Sequence, residues 1–201
     1  MSAGAPAHAA LMISEVYAGG GSGSGSPAYK TDFIEIFNDS ATAVDISGYK
    51  LQYAPSTRAA GVFDVAIGTL ASGSSIGAGA TFLVQTGTSG AAGATDVAPD
   101  ADFNGGASLS NTSGSVRLVD TLDAVQDVVG WGNLTNSNFE GTPESAPAST
   151  AISLQRSGTP PVDTGNNQSD FSQATPTPVP EPATLSVLAA AGALLGLRRR
   201  R

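Results

Sequence analysis

Apolar and polar residues alternate in short bursts along this chain, and each burst ends in a cluster of Gly, Ser, Asn or Asp. In "LMISEVY" (residues 11–17) Ser14 and Glu15 interrupt an apolar run. In "TDFIEIFNDS" (residues 31–40) Ile34 and Ile36 face one way while Phe33, Glu35 and Phe37 face the other, which is the period of a β-strand. Asn38, Asp39 and Ser40 then supply turn chemistry, with Asn38 bonding the backbone of its own turn. The same reading places strands over residues 44–46, 49–53, 63–67, 81–85, 116–119, 125–129 and 152–155, with Gly48 reversing the chain before residue 49. No ten-residue stretch before the C-terminus carries a helical period. Many short strands with regular turn signals predict an all-β sandwich or barrel. Trp131, between Gly130 and Gly132, reads as a core or edge anchor with room for close packing.

The pattern also divides the chain. Residues 1–10 ("MSAGAPAHAA") end in the small-x-small triplet Ala7-His8-Ala9 and read as the remnant of a truncated signal peptide. Residues 11–157 form the β domain. Residues 158–178, rich in Pro, Thr, Asn and Gln, read as a disordered or polyproline linker in which Phe171 alone has apolar bulk to anchor. Residues 179–201 end in an apolar run (185–197) broken only by Ser186, followed by Arg198, Arg199, Arg200 and Arg201. As a helix this run rises about 20 Å, short of the ~30 Å hydrocarbon core. Residues 182–184 and snorkelling arginines extend it to a marginal span with the arginines cytoplasmic and the body outside.

Charge sharpens this division. The net charge of −8 includes four of the nine basic residues in the terminal arginines, leaving five basic against 17 acidic residues in the remainder, a balance of −12. Such a body repels nucleic-acid phosphates and anionic membrane surfaces, so no nucleic-acid partner is expected. Divalent cations and neutral polymers are opposed least.

The inventory of reactive groups is thin. There is no Cys, and the one His is His8, so thiol catalysis, a Ser-His-Asp triad and a His-based zinc site are excluded from the body. The glycine run at 19–26 lacks the Lys-Ser/Thr ending of a phosphate loop, and no helical pattern comes after it. Carboxylates remain. Asp32 and Glu35 are the candidates for a carboxylate-dependent hydrolase. Asp96, Asp100, Asp102 and Asn104, in "TDVAPDADFNGG", offer oxygen ligands at near-alternating positions for Ca²⁺, without the downstream Glu of an EF-hand loop; the competing reading is a solvated acidic loop.

Two resemblances carry the reading further. Pro180-Glu181-Pro182, the apolar helix bearing Leu185, Leu188, Leu194, Leu195 and Leu197, and the arginine cluster resemble the PEP-CTERM sorting signal of Gram-negative, exopolysaccharide-producing bacteria. That resemblance implies recognition and processing by an exosortase, a transient membrane anchor, and a mature protein released or attached at the surface. In the body, "LMISEVYAGGG", "KTDFIEIFNDSATAVDISGYKLQY", "IGAGATFLVQ" and "GSVRLVDTLDAVQDVVGWG", closed by "FEGTPESAPASTAISLQR", resemble in that order a bacterial lamin-tail domain. This implies an immunoglobulin-like β-sandwich acting as an accessory or interaction module. The joint expectation is a non-catalytic exported module that contributes to extracellular matrix or biofilm contacts, including extracellular polysaccharide. The alternatives are a Ca²⁺-dependent adhesin or polysaccharide binder, and a hydrolase built on Asp32 and Glu35.

Overall fold

The computed structural model describes residues 11–23, 25–90 and 94–180. The leader (1–10) and the sorting residues from Glu181 onward therefore lie outside the described residues. Twelve strands and one four-residue helix are described: β1 (Leu11–Tyr17), β2 (Asp32–Asn38), β3 (Val44–Asp45), β4 (Lys50–Pro55), β5 (Val65–Thr69), β6 (Ser75–Ile76), β7 (Thr81–Gly87), β8 (Ala101–Asn104), β9 (Ser113–Val119), β10 (Val125–Gly132), β11 (Ser153–Arg156), α1 (Asn167–Asp170) and β12 (Phe171–Ala174). A six-stranded sheet, in order β12-β11-β1-β2-β7-β8, packs on a four-stranded sheet, β10-β9-β4-β5, and β3 pairs with β6 as a separate ribbon. All pairings are antiparallel except β7 with β8.

The core lies between the sheets. Ile34 and Ile36 of β2 enter it, as their alternation requires, and meet Leu51 and Tyr53 of β4, Val116 and Leu118 of β9, and Val129 and Trp131 of β10. On β1 both Ile13 and Val16 point inward although they are three positions apart. The register shift between Ile13 and Glu15 makes this possible, because one extra residue inverts the facing of the rest of the strand. Trp131 is fully enclosed, its indole N–H donating to the Ser110 carbonyl at 2.9 Å while its ring lies 6.4 Å from that of Tyr53. Gly132 beside it has φ +74, and a β-carbon there would meet the Thr112 carbonyl oxygen at 2.0 Å, so glycine is required.

The opposite face of the six-stranded sheet is covered as well. Tyr17, Phe33 and Leu83 form a second apolar cluster beneath Tyr29, with Tyr17 and Phe33 stacked at 5.2 Å. The Tyr17 hydroxyl accepts from the Ala28 and Tyr29 amides and donates to the Thr150 carbonyl, fastening the end of the glycine-rich segment to the sheet.

Strand boundaries largely agree with the sequence pattern, but the two-residue strand β6 has no counterpart in it, and three further differences stand out. The fifth strand begins at Val65 rather than Phe63, because Phe63 is used as the platform under the Arg117 guanidinium, 4.4 Å from its ring centre. Residues 101–104, read as acidic loop, form the parallel edge strand β8. The segment read as a linker carries α1 and β12, so the folded domain runs past residue 157. Two side chains make this possible: Phe171 is buried and lies beneath Arg156 at 4.6 Å, and Asn167 lends the side-chain amide that a coil lacks. Asn167 Oδ1 accepts from the Gly130 amide and its Nδ2 donates to the Val128 carbonyl, occupying the free edge of β10.

Phe171→Ala is expected to cost about 3–5 kcal/mol of unfolding free energy, the range for emptying a core aromatic site. Urea denaturation reads this directly; a loss near zero would mean that residues 158–178 lie outside the cooperative unit.

Candidate functional site

Each of the four residues with a calcium-like spacing has a partner within the protein. Asp96 is exposed and pairs with Lys30 at 2.9 Å, a surface contact of small energetic weight. Asp100 Oδ2 accepts from the Leu83 amide, where β8 joins the sheet. Asp102 Oδ1 accepts from Gln85 Nε2 and from the Asn104 amide, while the Asn104 backbone pairs with Gly87. Asp100 and Asp102 thus secure an edge strand, and the three carboxylates do not bring their oxygens together; among the described residues a different group does so.

Asp32 and Glu35 lie on one strand but serve separate tasks. Asp32 is 1% exposed and accepts from the Gly20 amide at 2.9 Å and the Leu109 amide at 2.8 Å, tying two loops to the start of β2. Burial nevertheless pushes its carboxyl up to about 7. Glu35 stands directly opposite Glu15 on β1, two like-charged side chains at paired positions of the outer face. Residues 175–179 cross this face as a strap. Gln155 Nε2 donates to the Thr175 carbonyl, Thr177 donates through its amide and hydroxyl to Glu15, the Val179 amide donates to Glu35, and Thr81 donates to the Val179 carbonyl. Burial beneath the strap is the main cause that pushes Glu35 up to about 8, with repulsion from Glu15 and Asp100 adding to it; burial also raises Glu15.

A third constellation is one that the sequence pattern does not announce. Arg156, at the end of β11, has a wholly buried side chain. Its Nε donates to the Ile13 carbonyl at 2.9 Å, one terminal nitrogen meets Asp127 Oδ2 at 2.7 Å, and the other meets Asp163 at 3.1 Å and Asp170 at 3.2 Å. Asp127 comes from β10 in the other sheet and also accepts from the Ile13 amide at 2.6 Å. The β1–β11 ladder stops at Glu15 and Gln155, and the ion pair takes over both backbone groups of Ile13 beyond that point. Glu140 completes the group: one carboxylate oxygen each from Asp127, Glu140 and Asp163 lie within 4.8 Å of one another. Desolvation outweighs Arg156 and holds Asp127 up at about 6, and burial together with the neighbouring carboxylates drives Glu140 to about 8. The one signal in the sequence is that Arg156 is the sole basic residue between Arg117 and Arg198, amid acidic residues.

Clefts of about 250 Å³ beside Gly20, Ser108 and Asn111, and about 220 Å³ beside Glu15, Glu35 and Thr81, fall below the roughly 300–1,000 Å³ of ordinary small-molecule sites. Among the described residues no helix is long and apolar enough to cross a membrane.

Two packed sheets, an apolar seam and surface carboxylates committed to strand edges define an immunoglobulin-like β-sandwich module. Residues 4–133 match the lamin tail domain family model, and the chain belongs to that family, whose domain is typically non-catalytic. No curated protein sequence matches the chain. The match closes just after β10, so β11, α1, β12 and the strap lie past the matched residues.

The buried ion pair and the raised carboxyls each make a measurable difference. Truncating Arg156→Ala strands Asp127 in the core and is expected to cost about 3–5 kcal/mol, whereas the paired Asp127→Leu, Arg156→Met variant recovers only part of it, because both backbone groups of Ile13 then lose their partners. Chemical denaturation of the three proteins tests this, and equal losses in single and double variants would refute it. The raised carboxyls set a pH slope. With Asp32 at about 7 and Glu35 at about 8 in the fold, against ordinary values of 3.8 and 4.5, the folded state binds more protons between about pH 4 and 8. The stability these two carboxyls contribute is therefore full below about pH 4 and falls as pH rises through that window. The melting temperature is expected several degrees higher at pH 5 than at pH 8.5, and Glu35→Gln should flatten part of the slope; a flat profile in the wild type contradicts it.

Proposed function

We propose that this protein is a non-catalytic lamin-tail module exported across the inner membrane and sorted to the cell envelope or surface by an exosortase. There it contributes to contacts in an extracellular matrix or biofilm, with extracellular polysaccharide as the partner class. The observation that carries the reading is the position of the sorting motif. Among the described residues the final hydrogen bonds to the body are made by Val179, Pro180 is exposed, and Glu181 and Pro182 come next in the sequence. A membrane protease acting on a folded substrate needs its recognition sequence accessible beside the body, and Pro180, the first residue of the motif, is exposed directly after the contacts of Val179.

Charge supports the same direction. The body carries −12 without the terminal arginines, so anionic membrane repels it once the tail is gone. In this reading Pro180, Glu181 and Pro182 are read by the exosortase, Leu185, Leu188, Leu194, Leu195 and Leu197 hold the tail in the membrane, and Arg198 to Arg201 stop it on the cytoplasmic side.

Intact-mass analysis of protein recovered from envelope and medium fractions tests this. The expected species ends near the Pro-Glu-Pro motif and lacks the apolar tail and arginines. Replacing Pro180, Glu181 and Pro182 with Ala should leave the full-length chain in the inner membrane. Recovery of the unprocessed chain from the cytoplasm alone overturns the proposal.

A further inference from the structure

The carboxylate group around Arg156 is more acidic than its one cation can balance. Asp127, Glu140, Asp163 and Asp170 face a single guanidinium. Asp170 is satisfied elsewhere: its Oδ1 accepts from the Thr164 hydroxyl at 2.5 Å and its Oδ2 from the Thr164 amide at 2.9 Å. Asp163 Oδ1 accepts from Arg156 and from the Gly165 amide. Asp127 spends Oδ2 on Ile13 and Arg156. That leaves Asp127 Oδ1 and Glu140 Oε2, both buried and both without a hydrogen-bond partner. Asp127 is 1% exposed, and an acceptor so enclosed is destabilising when it has no partner. Arg156 has turned its bonds to Ile13, Asp127, Asp163 and Asp170, leaving Glu140 Oε2 unpaired.

We propose that Asp127, Glu140 and Asp163 form a binding site for a divalent cation, Ca²⁺, at the edge of the four-stranded sheet. The donor set is made of carboxylate oxygens alone, with no imidazole or thiolate among the described residues, which selects a hard cation. One oxygen from each of the three lies within 4.8 Å of the others, close enough to share a single ion. Asp127 is fixed on β10, but Glu140 and Asp163 lie in loops, which suits the irregular coordination Ca²⁺ accepts and Mg²⁺ resists. Arg156 holds one oxygen of Asp127 and one of Asp163, leaving the second oxygen of each for the ion. The site also has a structural effect: its three ligands, far apart in sequence, join the segment after β10 to the sandwich edge. It is independent of the sorting tail and of the acidic residues 96–104.

The test is calorimetric titration of Ca²⁺ into the chelator-treated full-length chain, with melting temperature read alongside. One ion per chain should bind, and the melting temperature should climb as Ca²⁺ exceeds the dissociation constant. Glu140→Gln and Asp163→Asn should each weaken binding at least tenfold. In chelator the Glu140→Gln protein should melt no lower than wild type, since like-charge repulsion is relieved, which separates lost binding from lost folding. Asp96→Asn and Asp102→Asn should bind as wild type does. Mg²⁺ should bind at least tenfold more weakly. A flat titration with an unchanged melting temperature at millimolar Ca²⁺ overturns the site. Undiminished binding in Glu140→Gln, or Mg²⁺ binding as tight as Ca²⁺, overturns it equally.

Discussion

The ion pair between Asp127 and Arg156 joins the two sheets at the place where ordinary β-pairing gives out. The extra residue in β1 turns Val16 inward and ends the ladder with β11, leaving both backbone groups of Ile13 without a strand partner on that side. Asp127 reaches across from the opposite sheet to take the amide, and Arg156 takes the carbonyl. A charge pair at full burial is a poor source of net stability in general, because desolvation consumes most of the attraction. Here the pair also satisfies two backbone groups that would otherwise be orphaned, and it fixes which residue of β10 lies over which residue of β1. Its contribution is therefore mainly to register and to uniqueness of packing.

The C-terminal third depends on that pair. Phe171 packs under the guanidinium, Asp170 and Asp163 hold its second terminal nitrogen, and Asn167 occupies the edge of β10. The family match ends at residue 133, so these residues complete a sandwich whose matched portion leaves the β1 side of its larger sheet open. β11 and β12 close that side, and the strap then covers the outer face over Glu15 and Glu35. Both faces of the six-stranded sheet are thus shielded, one by the second sheet and one by chain segments.

Much of this was legible in the residues. The alternation in β2 has the correct facing for Ile34, Ile36, Phe33, Glu35 and Phe37, and Asn38 does bond its own turn, donating to Thr42 and accepting from Ser40. Trp131 is the enclosed anchor its flanking glycines suggested. The immunoglobulin-like architecture and the lamin-tail family emerge from the same ordered segments. Two kinds of feature escaped. Edge strands β8 and β12 are short and polar, and their signal is too weak to separate from loop, since half their pairing energy comes from the neighbour. The Arg156 group escaped because its members are brought together only by tertiary folding; Ile13 and Arg156 are 143 positions apart. Local pattern carries no information about such meetings.

The strap has a mechanical meaning. It runs across the strands rather than along them, touching β11 at Gln155, β1 at Glu15, β2 at Glu35 and β7 at Thr81 in succession. A pull on the chain at residue 180 therefore loads these contacts one after another, as in peeling tape, and each can part and re-form at low force. Only when all have parted does tension reach β12, where hydrogen bonds lie side by side and share the load. A module held by its C-terminal end would thus carry a short length of extensible slack ahead of its rigid body.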